Sequence, residues 1–423
     1  MKKVIDVLII SVLIFGCSSS SDEQDAPVSK EGIHLTSNDG LNPMSLIKEN
    51  NQYTLFYSSE DTWKYAVSNN LIHWTDSSTI DIPSDAIGDV IFDVNNTSGL
   101  SQSPFIAIFN DGDMQMKYTS AKDQPWKQGE LKLPPSVSGN PKVMRDGLGN
   151  NWIMTLTKEQ SVVILSSENL IDWTEVTRIE MAEPATAAEL TKTGDRWVLL
   201  TSGDNSFYQV LDTDFIPISD AKSLVSTFEK TSVATTKIEE RNLAVFNIGK
   251  KTLSIPKELT LTQDSILSIN NVVELNSQAI TKRRSKLESL KGQGSSRFQF
   301  YVENYDSDME ILIQNEQGES VKITISKPNN SLTIDKTNNS NAFDGSVEKV
   351  DWTSTSQTLF ADLIVDYSVV ELSLNNGEVQ LSIPVQPVFI YDQVNLMADD
   401  NKYDARAVLY SLIEEPEPAK PNI

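Results

Sequence analysis

From residue 32 onward, apolar and polar residues alternate in short runs that are separated by Asn, Asp, Gly and Ser. Such alternation places apolar side chains on one face of an extended chain, and the separating residues are typical of turns. Clear examples are residues 52–57 (QYTLFY), 151–156 (NWIMTL) and 196–200 (RWVLL). No long apolar stripe with helical spacing competes with these runs. The pattern therefore predicts an all-β fold.

One phrase recurs along the first part of the chain. It reads SNNLIHW at residues 68–74 and SENLIDW at 167–173, with a weaker copy, SAKDQPW, at 120–126. The copies follow predicted strands, end in Trp and lie roughly 40–50 residues apart, which is the length of a propeller blade. A single blade leaves one sheet face bare, so several blades must close around an axis. The repeat predicts a β-propeller over residues 32–276, and we interpret the Trp residues as packing between blades.

A polar, basic stretch at residues 277–294 interrupts the strand pattern and predicts a linker or a short helix. Alternating strands resume over residues 295–412, which favours a second, sandwich-like domain. Within it, Asn375-Asn376-Gly377 predicts a tight hairpin, because Asn and Gly accept the positive φ that such a turn needs. The Pro-rich end, residues 413–423, predicts a tail with few contacts.

The N-terminus has the features of a secretion signal. Two lysines precede a short apolar run that ends at Ile14-Phe15-Gly16-Cys17, which is similar to a bacterial lipobox, and Cys17 is the single cysteine of the chain. The alternative is an ordinary signal peptide with an incidental cysteine. We expect residues 1–17 to be a lipoprotein signal ending at a lipidated Cys17, followed by an acidic, flexible tether at 18–31. The tether resembles signals that send Gram-negative lipoproteins to the outer cell surface, which predicts an outer-membrane lipoprotein exposed there rather than in the periplasm.

The amino-acid composition limits which partners and which catalytic groups are expected. Lys and Arg number 35 against 59 Asp and Glu, a formal net charge of -24 that disfavours nucleic acid as a partner but not a neutral glycan. One Cys and two His leave no disulfide framework and no Cys/His zinc site, and no acidic cluster has the spacing of a calcium loop. Any catalysis is therefore expected to use carboxylates, without a metal or a cofactor.

Five phrases, in order along the chain, carry a family resemblance. They are the first-blade strands at 53–74, DVNNTSG at 93–99, NPKV at 140–143, IPKELTL at 255–261 and DYSVVELSLNNGE at 366–378. Together they resemble glycoside hydrolase family 32, the β-fructosidases. The resemblance runs from about His34 to Pro387 and implies a five-bladed β-propeller followed by a C-terminal β-sandwich. A family 43-type five-bladed propeller is the nearest competitor, but it does not account for the last two phrases.

The resemblance implies a retaining mechanism with two carboxylates. It puts the nucleophile position on Asn42, the position of the transition-state stabiliser on Asn140, and the acid/base position on Glu183. An uncharged amide is a poor nucleophile, so Asn42 does not replace an aspartate. Asp39, in Asn38-Asp39-Gly40, becomes a substitute nucleophile if the loop slips, although Asp in such a phrase is more often part of a turn.

Other positions of the implied sugar pocket also differ from the family. Ser58 replaces a Gln, Ala86-Ile87-Gly88 replaces FSG, and Thr227-Phe228-Glu229 replaces DYG. The resemblance assigns substrate contact to Ser58 and to Trp63. Each buried sugar oxygen left without a partner costs about 1–3 kcal/mol. A scaffold that keeps the family's phrases while its pocket positions differ predicts a non-hydrolytic surface lipoprotein that binds a polysaccharide or oligosaccharide, such as a fructan.

Two other functions stay open. One is an active β-fructosidase that hydrolyses fructan or sucrose at a rearranged site, with Glu183 as the acid and Asp39 or another carboxylate as its partner. The other is a structural or adaptor protein of a surface uptake complex, which contacts protein partners through the propeller. Loss of activity on mutation of Glu183 would favour the first of these.

Overall fold

The computed structural model describes residues 32–37, 40–59, 62–146, 151–203, 206–224, 233–238, 240–277, 282–286, 290–292, 294–338, 347–354, 356–397 and 405–412. Across these residues the regular structure is β, apart from one four-residue helix, α1 (Glu274–Ser277). The predicted all-β class is confirmed. No helix in these ranges is long and apolar enough to cross a membrane.

Several predicted features lie outside the described residues. They are the lipobox with Cys17, the tether at 18–31, Asp39, Thr227-Phe228-Glu229 and the tail at 413–423. Each of them stays a prediction.

The first part of the described chain forms five antiparallel sheets in succession. Blade 1 holds β1 (Asn42–Glu49), β2 (Gln52–Ser58), β3 (Thr62–Ser68) and β4 (Thr75–Pro83). Blade 2 holds β5 (Ile87–Phe92), β6 (Phe105–Asn110), β7 (Met114–Thr119) and β8 (Lys127–Gln128). Blade 3 holds β9 (Asn140–Arg145), β10 (Trp152–Lys158), β11 (Ser161–Ser167) and β12 (Thr174–Glu180). Blade 4 holds β13 (Ala185–Thr193), β14 (Arg196–Gly203), β15 (Phe207–Leu211) and β16 (Lys222–Ser223). Blade 5 holds β17 (Val233–Ile238), β18 (Arg241–Ile248), β19 (Thr252–Leu253), β20 (Lys257–Leu261) and β21 (Leu267–Asn271).

The first strands of the blades, β1, β5, β9, β13 and β17, contact one another in that order, and β17 contacts β1. The five sheets therefore close into a ring, and these five inner strands surround its axis. The predicted five-bladed propeller is confirmed. Apolar clusters fill the spaces between blades; in the one between blades 1 and 2, Trp63 meets Phe109 edge to face at a centroid distance of 6.0 Å.

The repeated phrase forms the same turn in blades 1 and 3. Its leucines, Leu71 and Leu170, both adopt positive φ, 63° and 64°. The indole N–H of Trp74 donates to the carbonyl of Leu71 at 3.2 Å, and that of Trp173 donates to Leu170 at 2.9 Å. Both indoles, like Trp126 of the weaker copy, contact apolar clusters of the propeller. This agrees with their interpretation as packing residues.

The second part of the described chain forms a β-sandwich of two six-stranded sheets. One sheet has the order β22 (Lys282–Lys286), β33 (Ala405–Ser411), β24 (Ser296–Val302), β29 (Leu359–Val365), β30 (Val369–Leu374) and β31 (Val379–Pro384). The other has the order β23 (Leu290–Lys291), β32 (Gln393–Met397), β25 (Met309–Gln314), β26 (Ser320–Ser326), β27 (Ser331–Asn338) and β28 (Val347–Asp351). Alternating apolar residues of both sheets form one buried core between them.

The structure differs from the linker predicted for residues 277–294. Inside that stretch, β22 pairs with β33 along the edge of one sandwich sheet, and β23 pairs with β32 in the other. The strand was not predicted because Lys282-Arg283-Arg284 lacks apolar alternation, and a strand at a sheet edge needs few apolar side chains.

The predicted hairpin at Asn375-Asn376-Gly377 is confirmed, and all three residues have positive φ. Its tip lies against blade 5, where the backbone N–H of Ile269 donates to the carbonyl of Gly377 at 3.1 Å. A Cβ on Gly377 would come within 2.5 Å of the carbonyl oxygen of Ile269. Glycine is thus needed here for close approach as well as for φ.

Candidate functional site at the propeller axis

The positions predicted for the sugar site lie where the inner strands begin. Asn42 is the first residue of β1 and Asn140 is the first residue of β9. Glu183 precedes the start of β13 by two residues and is exposed. Because the inner strands surround one axis, this end of the propeller gathers the three positions around its opening.

Asn42 is held by the second strand of its own blade. It pairs with Ser58 across β1 and β2, and its amide nitrogen donates to the Ser58 hydroxyl at 3.4 Å. Ser58 is buried, so its hydroxyl serves the protein rather than an open pocket. The side chain at the nucleophile position is therefore neutral and directs a hydrogen-bond donor into the scaffold.

Asn140 joins blades 2, 3 and 4. Its amide nitrogen donates to the backbone carbonyl of Thr186 at 2.7 Å, and Asn110 donates to its amide oxygen at 3.5 Å. The residue of blade 4 that contacts Asn140 is therefore Thr186, three positions after Glu183. The acid/base role of Glu183 stays a prediction.

Trp63 does not fit the predicted substrate contact. Its side chain has no exposed surface, and its indole N–H donates to the carbonyl of Ala86 at 3.2 Å. A ring enclosed on all sides cannot touch a bound sugar, so Trp63 acts in packing between blades 1 and 2. The sequence placed it correctly on a strand but could not show that Phe109 of the next blade covers it.

Halfway along the inner strands lies a buried ionic cluster that the sequence analysis did not identify. The ammonium group of Lys142, on β9, lies 2.9 Å from a carboxylate oxygen of Glu189 on β13. It also donates to the backbone carbonyls of Met44 on β1, at 2.8 Å, and Val233 on β17, at 3.4 Å. The second carboxylate oxygen of Glu189 accepts from the hydroxyl of Thr235 at 2.6 Å. One cation thus connects four of the five inner strands.

Asp89 brings the remaining inner strand, β5, into this cluster. Its carboxylate accepts from the hydroxyl of Ser45 and from the backbone N–H of Val143, the latter at 2.7 Å. Burial raises the pKa of Asp89 to about 7; the charge of Lys142 opposes the rise and that of Glu189 adds to it. We name Ser45, Asp89, Lys142, Glu189 and Thr235 the axial cluster, with one residue from each inner strand.

The one sign of this cluster in the sequence was the presence of charged residues within predicted strands. Lys142 follows the buried Pro141 in NPKV, and Glu189 lies between the buried Ala188 and Leu190 in AAEL. Buried charges need partners, but a sequence does not say which strands will meet. In the described part of the chain, no three His, Cys, Asp or Glu side chains are grouped so that they could hold a metal ion.

Comparison with known proteins bears on the family resemblance. Residues 229–406 match the family model described as the C-terminal region of glycosyl hydrolases family 32. A levanase from Bacillus sp. (strain L7) is 28% identical over 163 residues, covering 31% of this chain and 18% of that protein. The family model and the levanase relatives support the predicted resemblance to glycoside hydrolase family 32.

A second curated relative is a levanbiose-producing levanase from Bacillus subtilis (strain 168), 29% identical over 130 residues, which are 26% of this chain and 25% of that one. The chain spans a third or less of the length of the curated relatives it matches, between 18% and 33%.

Solved structures of the family share the fold along most of the chain. The exo-inulinase from Aspergillus awamori matches with a TM-score of 0.74 at 17% identity, over 90% of this chain and 98% of that one. A fructofuranosidase from Schwanniomyces occidentalis, complexed with fructose, matches with a TM-score of 0.73 at 18% identity and the same coverage. The propeller followed by a sandwich is therefore a fold that this chain shares with these solved structures.

Proposed function

We propose that this protein binds a fructan-type glycan at the end of the axis that carries Asn42 and Asn140, and that it does not hydrolyse the glycan. The observation that carries the proposal is the pair of amides at the nucleophile and stabiliser positions. The class of glycan is suggested by the relatives, which include two levanases, an exo-inulinase and a fructofuranosidase with bound fructose.

Charge is the physical reason for expecting no hydrolysis. A retaining glycosidase needs one carboxylate to attack the sugar and a second carboxyl group to protonate the leaving oxygen. Asn42 carries no negative charge, and its amide nitrogen is directed to Ser58. Asn140 likewise uses its amide nitrogen within the scaffold, on the carbonyl of Thr186. Neither side chain offers the electron pair of a carboxylate to a developing oxocarbenium ion.

A test of hydrolysis separates this proposal from an active enzyme with a rearranged site. The purified chain is incubated with levan, inulin and sucrose, and released fructose is measured by chromatography beside a Glu183→Gln variant. Glu180→Gln, a change at an exposed glutamate on the neighbouring strand β12, is the matched control. We expect no release from any of the three proteins. Fructose release that disappears only in Glu183→Gln would overturn the proposal.

Binding is measured on the same protein. Calorimetric titration with levan and inulin should detect an association that Glu183→Gln leaves largely intact, because binding does not require proton transfer. Absence of both binding and hydrolysis would favour the adaptor role. In that case a pull-down of the native protein from membranes should recover a stable protein partner.

We further propose that lipidated Cys17 anchors the protein to the outer membrane, facing the cell surface. The support is the lipobox-like phrase, the single cysteine and the acidic tether that follows it. Cys17→Ser should shift the protein from the membrane fraction to the soluble fraction. Protease added to intact cells should digest the anchored protein, and its survival would place it in the periplasm instead.

A further inference from the structure

A cavity lies at the other end of the propeller axis, where the inner strands finish. It has a volume of about 830 Å³ and is lined by residues that include the last residues of β1, β5, β9 and β17. Such a volume is within the range of small-molecule sites, about 300–1,000 Å³. With a rise of about 3.3 Å per residue along β1, Glu49 at the end of the strand lies on the order of 20 Å from Asn42, and Ser45, deeper in the cavity, lies on the order of 10 Å from it. The axial cluster lies between the two ends, and its Ser45, Asp89 and Thr235 form part of the cavity floor.

The charges around this cavity differ from those of the whole chain. Three cations line it, Lys48, Arg145 and Lys237, although the chain carries a formal net charge of -24. Two carboxylates line it as well. Glu49 pairs with Lys122 at 3.2 Å, a cation that is not part of the lining. The other is Asp89, at the floor, where hydrogen bonds from the protein occupy it. The lining therefore keeps an excess of positive charge.

Arg145 is fixed in a position suited to binding an anion. Its guanidinium carbon lies 5.4 Å from the ring centre of Trp152, whose indole N–H donates to the hydroxyl of Thr97 at 2.8 Å. With its amide oxygen turned toward Arg145, Asn95 accepts from both terminal nitrogens at 2.9 Å. Among the described residues, no carboxylate lies within ion-pair distance of Arg145. A stacked, oriented guanidinium without a carboxylate partner is well prepared to bind a carboxylate or phosphate group.

Lys237 supplies a second charge in the same lining. Its nearest described carboxylate is Glu240, 3.7 Å away with a fully solvated side chain, so that contact neutralises Lys237 only weakly. The hairpin residues Asn50 and Asn51, together with Ser103, add neutral polar side chains to the lining. Such side chains can form hydrogen bonds with the hydroxyls of a sugar. The lining thus combines positive charge with neutral polar groups.

We propose that this cavity binds an anionic sugar. Arg145 and Lys237 would hold the carboxylate or phosphate group, and Asn50, Asn51 and Ser103 would hydrogen-bond to the sugar hydroxyls. The site is independent of the proposed fructan site, because it lies at the opposite end of the axis and uses none of its residues.

The test is calorimetric titration of the full chain with D-glucuronate and with glucose 6-phosphate, and with neutral D-glucose for comparison. We expect at least one of the anionic sugars to bind, with glucose at least tenfold weaker, and the affinity to fall as salt is added. Preference for the carboxylate or for the phosphate identifies the kind of anion. No binding of either anionic sugar, or equal binding of glucose, would overturn the proposal.

Two variants localise the binding. Arg145→Gln should weaken it about tenfold or more, whereas Arg178→Gln should leave it unchanged, because Arg178 is on the outer strand β12 of the same blade and is exposed. Lys237→Gln is a second variant that does not disturb the contacts of Trp152. Anion binding that persists unchanged in both Arg145→Gln and Lys237→Gln proteins with unaltered melting temperatures would place it elsewhere and refute the assignment.

Discussion

At the scale of single residues, Asn42 and Asn140 differ from ionised aspartates in charge and also in carrying hydrogen-bond donors. Both side chains have the shape of a carboxylate, but each uses its NH₂ group as a donor, toward Ser58 and toward the carbonyl of Thr186. An ionised aspartate has only acceptors: at position 42 it could accept from the Ser58 hydroxyl, but at position 140 it has no donor for the carbonyl of Thr186. A carboxylate at position 140 would therefore lose a hydrogen bond that the amide of Asn140 makes.

Asn140→Asp is therefore expected to destabilise the protein at neutral pH. The new carboxylate would face the carbonyl oxygen of Thr186 and lose a 2.7 Å hydrogen bond, which costs about 1 kcal/mol. Urea unfolding measures the change, and Asn151→Asp at an exposed position is the control. The loss should shrink near pH 3, where the carboxyl group is neutral. Equal stability of Asn140→Asp and the wild type at pH 7 would show that the bond to Thr186 contributes little.

At the scale of strands, alternation and repetition were sufficient to predict the blades, the sandwich and the hairpin at residues 375–377. They were not sufficient for the axial cluster, because Lys142 and Glu189 meet only when blades 3 and 4 close into the ring. The same limit applies to Trp63, whose strand was predicted but whose covering neighbour belongs to another blade. A strand at a sheet edge, such as β22, also lacks the apolar alternation that reveals the others.

The inner strands should depend on Lys142 for their stability. Lys142→Met would leave Glu189 and Asp89 buried without their cation, and removal of one partner from a buried ion pair costs about 3–5 kcal/mol. Unfolding in urea should show a loss of that order, while Lys127→Met, at an exposed position on β8, should change little. Adding Glu189→Leu to Lys142→Met should recover part of the loss. If Lys142→Met alone is as stable as the wild type, the ionic interactions of Lys142 make no net contribution to the free energy of unfolding.

At the scale of the whole molecule, a buried ionic network joins the propeller to the sandwich. Asp366 of the sandwich accepts from the imidazole of His34 at 2.6 Å and from the backbone N–H groups of Ile33 and His34 at 3.0 Å. Glu371 pairs with Lys257 of blade 5 and lies 3.4 Å from the other nitrogen of His34. All these side chains are inaccessible to water, so the two domains share charges that neither could leave unpaired.

This network makes stability depend on pH through His34. Burial alone would lower the pKa of His34, but its hydrogen bonds and charge interactions with Asp366 and Glu371 raise it to about 9. An unfolded histidine has a pKa of about 6.5. The charged imidazole therefore stabilises the fold fully below pH ~6.5, and this contribution is lost as the pH rises through about 9.

The free energy of unfolding should accordingly fall between pH 6.5 and 9. His34→Gln should remove this decline and lower stability near pH 6 by about 3 kcal/mol, since two buried carboxylates lose a cation. The matched control is His73→Gln, because His73 is exposed and is the other histidine of the chain. Urea unfolding at several pH values gives both quantities. A decline that persists in His34→Gln would assign the pH dependence to other groups.

The bond between His34 and Asp366 also sets an order of events. It spans 332 positions, so a chain made from its N-terminus presents Ile33 and His34 long before Asp366 exists. Contacts with such large sequence separation slow folding, because a long loop must close before they form. The first segment of the propeller thus reaches its final contacts only after a residue of the sandwich, 332 positions later, has been synthesised. The contact between His34 and Asp366 can therefore form only in a chain that carries both the propeller and the sandwich.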